Sequence, residues 1–321
     1  MRLSTRLSAA VAVIAASAAV MAACGSSGGS GSSTTSGGGT TSANKGTVTV
    51  GSANFAESTL IANMYADVLK KAGFTVKTKF NVGNRELYLK SLGNGEIDIV
   101  PEYLSTLTTF LAAQKDPNAA SPASGDPAKT LAALLPLASA KGFSAYPYSP
   151  AADENAFAVN AATAAKYHLT KLSDLANPDV AGKLTIGGPP ECQTRPYCEP
   201  GLEKTYGAKF AGFKALDAGG PLTINAIADG SVGIGLVFSS DGVVASKNLV
   251  VLADDKHLQN ADNVLPLVRT SAASLDLRAA LDKVDQALTT DELKQLNKQI
   301  GVDKDDPSDV AEQFLKSKGL L

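Results

Sequence analysis

The chain has 321 residues, 44% hydrophobic and 19% charged, with 29 Lys and Arg against 31 Asp and Glu. That length rules out a marginal mini-protein and suffices for two average domains, while a net charge of −2 gives no electrostatic reason to expect a nucleic-acid partner. Tryptophan is absent, so a site that grips a ligand by ring faces must draw on 8 Tyr and 10 Phe.

Arg2 and Arg6 precede an apolar run from Leu7 to Met21, which has the proportions of a secretory signal and is short for a membrane span. The run ends in Met21-Ala22-Ala23-Cys24, similar to a bacterial lipobox. Residues 1–23 therefore read as a lipoprotein signal peptide and Cys24 as the lipidated first residue. An ordinary signal cleaved after Ala23 is the alternative. Residues 24–46 are mostly Gly, Ser and Thr, a flexible tether with a reach of roughly 25 Å. No later segment approaches the roughly 18 consecutive apolar residues of a spanning helix. The lipid is the only membrane contact expected.

Folded structure is expected from Thr47 onward. Val48-Thr49-Val50 reads as a strand ending at Gly51, and Asn54 with Glu57 three residues on forms a potential capping box for the next helix. Ile61, Met64, Tyr65, Val68 and Leu69 share one helical face. Gly73 stops that helix, and Phe74 to Asn81 alternates like a strand. A second helix carries Leu87 and Leu92, Asn94-Gly95 makes a turn, and Ile97 to Val100 is the next strand.

The same pattern recurs downstream. Gly46-Thr-Val-Thr-Val-Gly51 is echoed by Gly182-Lys-Leu-Thr-Ile-Gly187, and Asn94-Gly95 by Asp229-Gly230. At nearly the same spacing Ile97 meets Val232, Tyr103 meets Phe238, and Ser105 meets Ser240. Two α/β lobes of similar build follow, with or without true duplication. Ligands of open α/β sheets bind beyond the carboxyl ends of strands. The candidate contacts are therefore Ser52, Asn54 and Phe55 in one loop, Tyr103 and Thr106 in another, and Phe238, Ser239 and Asp241 in the echo of the latter. Asp241, before Gly242, reads rather as a turn or helix cap. In an exported chain, Cys192 and Cys198 read as a short disulfide loop, with two free thiols as the alternative. Arg195 inside the loop could clamp a carboxylate or simply face solvent. Neither His168 nor His257 has ligand-like spacing to the cysteines, so no metal and no cofactor are expected.

Gly51-Ser-Ala-Asn-Phe-Ala-Glu57, Gly95-Glu-Ile-Asp-Ile-Val-Pro-Glu-Tyr103, Phe238-Ser-Ser-Asp-Gly242 and Val251-Leu-Ala-Asp-Asp-Lys256 carry a resemblance to the substrate-binding lipoproteins of osmoprotectant ABC importers, which take up glycine betaine, choline, carnitine and related solutes. The resemblance implies a type II periplasmic-binding (Venus-flytrap) α/β fold: lobe 1 from 47–150 and 251–321, and lobe 2 from 151–250. It implies an aromatic cage at Tyr103, Phe157 and Phe238, with Asn155 near the crossover and Thr106 tuning ligand choice. Asn155 could serve the hinge backbone instead, and Phe157 a core position. Ser58 stands where relatives often have Gln, Phe157 and Phe238 stand where they often have Tyr, and the stretch from Asp254 to Pro266 lacks a further ring. A three-ring cage of this kind points to a larger or less charged solute than betaine.

The resemblance further implies a monomer, lipid-anchored to the outer face of the bacterial cytoplasmic membrane, that delivers solute to an ABC permease. There is no G-x-S-x-G and no P-loop, and neither histidine lies in a base motif. A hydrolase built on Glu57, Glu102, Glu191 and Asp241 and a purely structural surface lipoprotein are the competing readings; non-enzyme is expected.

Overall fold

The computed structural model describes residues 45–321. The signal peptide, Cys24 and nearly all of the tether lie outside the described residues. Among the described residues no helix is long and apolar enough to cross a membrane.

Strand β1 (Thr47–Gly51) leads into α1 (Ala56–Lys71), a helix buried along most of its length. The N-cap is Phe55, not Asn54, and no side chain caps it. Glu57 turns into the protein interior, so the expected capping box does not form. Gly73, at φ +96°, provides the left-handed turn that ends the helix. Then come β2 (Thr75–Lys79), α2 (Arg85–Gly93) and β3 (Ile99–Tyr103), the last buried throughout. Asn84 caps α2 by accepting from Leu87 N. Of the two leucines expected inside α2, Leu92 is buried and Leu87 is exposed. Next are α3 (Leu104–Lys115), α4 (Pro127–Ser139) and β4 (Phe143–Ala145).

The chain then crosses into lobe 2, made of β5 (Asn155–Asn160), α5 (Ala161–Tyr167), α6 (Pro178–Ala181), β6 (Thr185–Gly188), α7 (Glu199–Tyr206), β7 (Gly212–Ala215), α8 (Pro221–Ala228), β8 (Ile234–Phe238), α9 (Gly242–Ser246) and β9 (Leu249–Val251). It returns as β10 (Val264–Arg269) and ends in α10 (Leu275–Ala287), α11 (Thr290–Lys298) and α12 (Pro307–Ser317).

Each lobe is a five-stranded mixed sheet, ordered β2-β1-β3-β10-β4 in lobe 1 and β7-β6-β8-β5-β9 in lobe 2. In each, one strand returning from the other lobe inserts antiparallel beside the central parallel pair: β10 against β3, and β5 against β8. Apolar clusters cover both faces of both sheets. The return to lobe 1 comes later than the boundary expected at 250. Val251 still pairs with Ala158, and Leu252 and Leu258 pack into the lobe 2 core. The two crossovers touch at the bridge between Ala152 and Asn263. The two lobes form one compact unit.

Candidate ligand-binding cleft

A cavity of about 460 Å³ lies between the lobes. Lobe 1 supplies Phe55 from the entry to α1, Arg85, Glu86 and Tyr88 from α2, Tyr103 from the end of β3, and Thr106, Thr109 and Phe110 from α3. Lobe 2 supplies Asn155 and Phe238 from β5 and β8, and the disulfide loop closed by Cys192 and Cys198. Asp153 and Asp262, one on each crossover, form the floor. The Phe55 ring sits 5.9 Å from Tyr103 and 5.6 Å from Phe238, both tilted. This three-ring contact spans the lobes and separates the cavity from a second, larger one of about 860 Å³ that includes Asp217, Asp241 and Asn297.

The polar groups of the lobe 1 wall are fixed in advance. Arg85 donates through Nε and Nη2 to the two oxygens of Glu102 at 2.9 and 2.8 Å, and Nη2 also reaches Thr106 Oγ1 at 2.8 Å. Tyr88 Oη donates to the same carboxylate at 2.7 Å, and Tyr103 N at 2.9 Å. Burial alone would lower the Arg85 pKa, and the Glu102 charge reverses this, so Arg85 stays protonated. Tyr103 Oη donates to Glu57 at 2.6 Å. Burial and the Glu57 charge push the Tyr103 phenol well above its ordinary value, which keeps it neutral.

Three links tie the lobes together. Arg195 of the disulfide loop makes a bidentate ion pair with Glu86, both bonds at 2.8 Å, and stacks 4.7 Å above the Phe110 ring. Tyr197 Oη bonds Thr109 Oγ1 at 2.9 Å. Ser240 Oγ donates to Glu57 at 2.7 Å, and Asn297 donates to the same oxygen. Burial raises the Glu57 pKa against the lowering effect of these hydrogen bonds. The cleft is thus closed, with its mouth clasped by the disulfide loop.

Of the residues expected in the site, Asn54, Phe55, Tyr103, Thr106, Asn155, Arg195 and Phe238 line this cavity. Four do not. Ser52 is buried and ties the loop after β1 to the one after β2, accepting from Asn81 N at 2.9 Å. Ser239 accepts from Glu154 N at 2.8 Å and so braces the crossover. Asp241 faces the second cavity and caps α9 by accepting from Val243 N. Phe157 has no exposed surface and joins the cluster of Cys192, Cys198 and Leu202. It lies two residues deeper along β5 than Asn155, about 7 Å into the lobe. Arg195 does clamp a carboxylate, the first of its two readings, but that carboxylate is Glu86 of the other lobe.

The three-ring cage is therefore corrected. Phe157 leaves it, and Phe55, Tyr88, Phe110 and Tyr197 join Tyr103 and Phe238 as lining rings. Tyr197 was visible as the aromatic residue of the disulfide loop. Tyr88 and Phe110 gave no signal beyond helical spacing, which fits core packing equally well.

A ring-walled cleft closed between two lobes, with paired crossovers as its hinge, defines a two-lobe solute-binding protein. Residues 46–317 match the family described as the substrate binding domain of the ABC-type glycine betaine transport system, and the chain belongs to that family. It is 30% identical over 280 residues to the glycine betaine-binding protein YehZ of Escherichia coli K12, covering 85% of this chain and 90% of the relative. It is 25% identical over 297 residues to the carnitine transport binding protein OpuCC of Listeria monocytogenes, covering 87% and 89%. A crystal structure described as a glycine betaine/carnitine/choline ABC transporter shares the fold with TM-score 0.63 at 24% identity, covering 85% of this chain and 98% of that one.

Proposed function

We propose that this chain captures a small organic cation of the compatible-solute type in the interlobe cleft and hands it to an ABC permease, without turning it over chemically. The observation that carries this reading is the contact of Tyr103, Phe55 and Phe238 across the lobes. Ring faces hold alkylammonium groups that offer few or no hydrogen-bond donors, each contributing about 0.5–2 kcal/mol when desolvated. Because rings of both lobes meet there, a ligand seated among them stabilises the closed form over the open one. Lipidation at Cys24 would hold the clamp as a monomer at the outer face of the cytoplasmic membrane, within reach of the permease.

The test is calorimetric titration of the full chain in detergent with glycine betaine, choline and carnitine, repeated for Tyr103→Ala and Phe238→Ala. Each substitution should weaken binding about three- to thirtyfold. Unchanged affinity in both, or release of a chemically altered ligand, would remove this reading.

A further inference from the structure

The cleft floor carries two acidic side chains that the ring wall does not explain. Asp153 and Asp262 are neighbours on the two crossovers, with Asp153 N donating to Asp262 O at 3.1 Å. Both line the cavity, and each is only 4% exposed. Asp153 Oδ1 accepts from Ser240 N at 2.9 Å and Ser239 Oγ at 3.2 Å. Asp262 Oδ1 accepts from Ser105 N at 2.7 Å and Thr106 N at 3.1 Å at the start of α3. Oδ2 of neither carboxylate is used in these bonds.

The cations of the cleft do not answer them. Arg85 and Arg195 are the cationic side chains among the lining residues. Arg85 is spent on Glu102 and Arg195 on Glu86, each through two hydrogen bonds. The Arg85 charge reaches Asp262 and partly offsets its burial, but Arg85 makes no hydrogen bond to it, and no cation acts on Asp153. Burial pushes Asp262 up to about 7, and burial with the Glu57 charge raises Asp153 well above the usual carboxylate range. Such a floor gains from a cation in the cleft.

The kind of cation matters. A quaternary ammonium cannot donate a hydrogen bond, so it would exclude water from these oxygens and leave them unmatched. A zwitterion would bring a further carboxylate into a cleft with no uncommitted cation. A protonated amine supplies both charge and donor. Resting on the capture reading and deepening it, we infer that the cleft selects a protonated amine, an organic cation with at least one N–H, which bonds Asp153 and Asp262 while its apolar flank lies on Phe55, Tyr103 and Phe238.

A matched series of ligands tests this on the full chain in detergent at pH 7.5. N,N-dimethylethanolamine and choline differ by one N–H against one N–CH₃, and glycine betaine adds the carboxylate. The amine should bind about tenfold more tightly than choline, a difference of about 1.4 kcal/mol, with betaine weakest. Asp153→Asn, which is nearly isosteric, should erase most of the amine's advantage over choline. Asp262→Asn should do the same, with a thermal melt to check that α3 still forms; should that variant not fold, Asp153→Asn decides alone. Choline or betaine binding as tightly as the amine would overturn the inference and leave capture standing, as would an amine preference that survives in Asp153→Asn. Absence of binding by all three would overturn capture as well.

Discussion

The two lobes share a plan and differ in how its first connection is built. Asn94 and Asp229 each accept from the amide two residues on, through Glu96 N at 3.2 Å and Ser231 N at 2.8 Å, and Gly95 and Gly230 both sit at φ +80°. A Cβ on Gly51 would strike Ile97 at 2.7 Å, and one on Gly187 would press on Leu216 and on Val232, the counterpart of Ile97, at 3.0 and 3.1 Å. After β1, however, comes a 16-residue helix wedged under α10 and α12, with Tyr65 Oη bonded to buried Asp285 at 2.8 Å. After β6 comes a short turn, the disulfide loop and the eight-residue α7. One half spends its first connection on core, and the other frees it to carry the clasp residues Arg195 and Tyr197. The same topology thus yields a rigid wall and an adaptable one.

The largest expected effect breaks the rigid wall. Arg85→Ala leaves Glu102, whose side chain is fully buried, without its charge partner. Stability should fall by about 3–5 kcal/mol in denaturant unfolding. A loss no greater than that from opening the disulfide would refute the view that lobe 1 is the preorganised half. The next effect acts at the seam. Asp262 is pushed up to about 7 and Asp241 up to about 6, both mainly by burial. A folded-state pKa above the unfolded value means the folded protein holds the proton more tightly. The stability so gained is present below about pH 4 and lost as pH rises through 6 to 7. The ligand-free melting temperature should therefore drop between pH 5 and pH 8, by the equivalent of a few kcal/mol. A flat profile would place these carboxylates in contact with solvent and not in a sealed seam.

Much of this architecture could be read before folding was known, and the reasons are local. The β1–α1 unit, the Asn94-Gly95 turn and their echoes are set by alternation, glycine placement and turn chemistry, which act over a few residues. Lobe assignment of Val251 to Asp262 escaped because nothing local distinguishes a strand pairing with β5 from one pairing with β3. The ring set escaped for a related reason. Periodicity shows that Tyr88, Phe110 and Phe157 face inward, but an inward ring meets either core or cleft depending on depth along its element. Asn54 looked like the better cap by residue type, yet the helix begins one residue later and Phe55 points into the cleft. The floor carboxylates were invisible as a pair, because Asp153 and Asp262 meet only when the two crossovers come together.

Smaller perturbations sharpen the adaptable half. Replacing Cys192 and Cys198 together with Ser should cost only about 2 kcal/mol, since the closed loop is short. The cost to ligand retention should be the more telling readout, because Arg195 and Tyr197 lie within that loop. A ligand dissociation rate unchanged in the double variant would make the disulfide a structural staple alone.

Glu86→Ala tests the clasp at its weakest point. The Glu86 side chain is 48% exposed, so its pair with Arg195 should contribute no more than about 1 kcal/mol to the closed form. A ligand that binds the closed state is retained in proportion to that state's stability, so dissociation should quicken by at most about fivefold. The pair should also be screened by salt, whereas the Tyr197–Thr109 hydrogen bond should not. Dissociation from the unmodified protein should therefore quicken as salt rises, and in Glu86→Ala that dependence should shrink while the remaining clasp holds. Equal salt dependence in both would mean that Arg195 contributes nothing to closure, leaving the freed connection of lobe 2 a difference of shape without a difference in function.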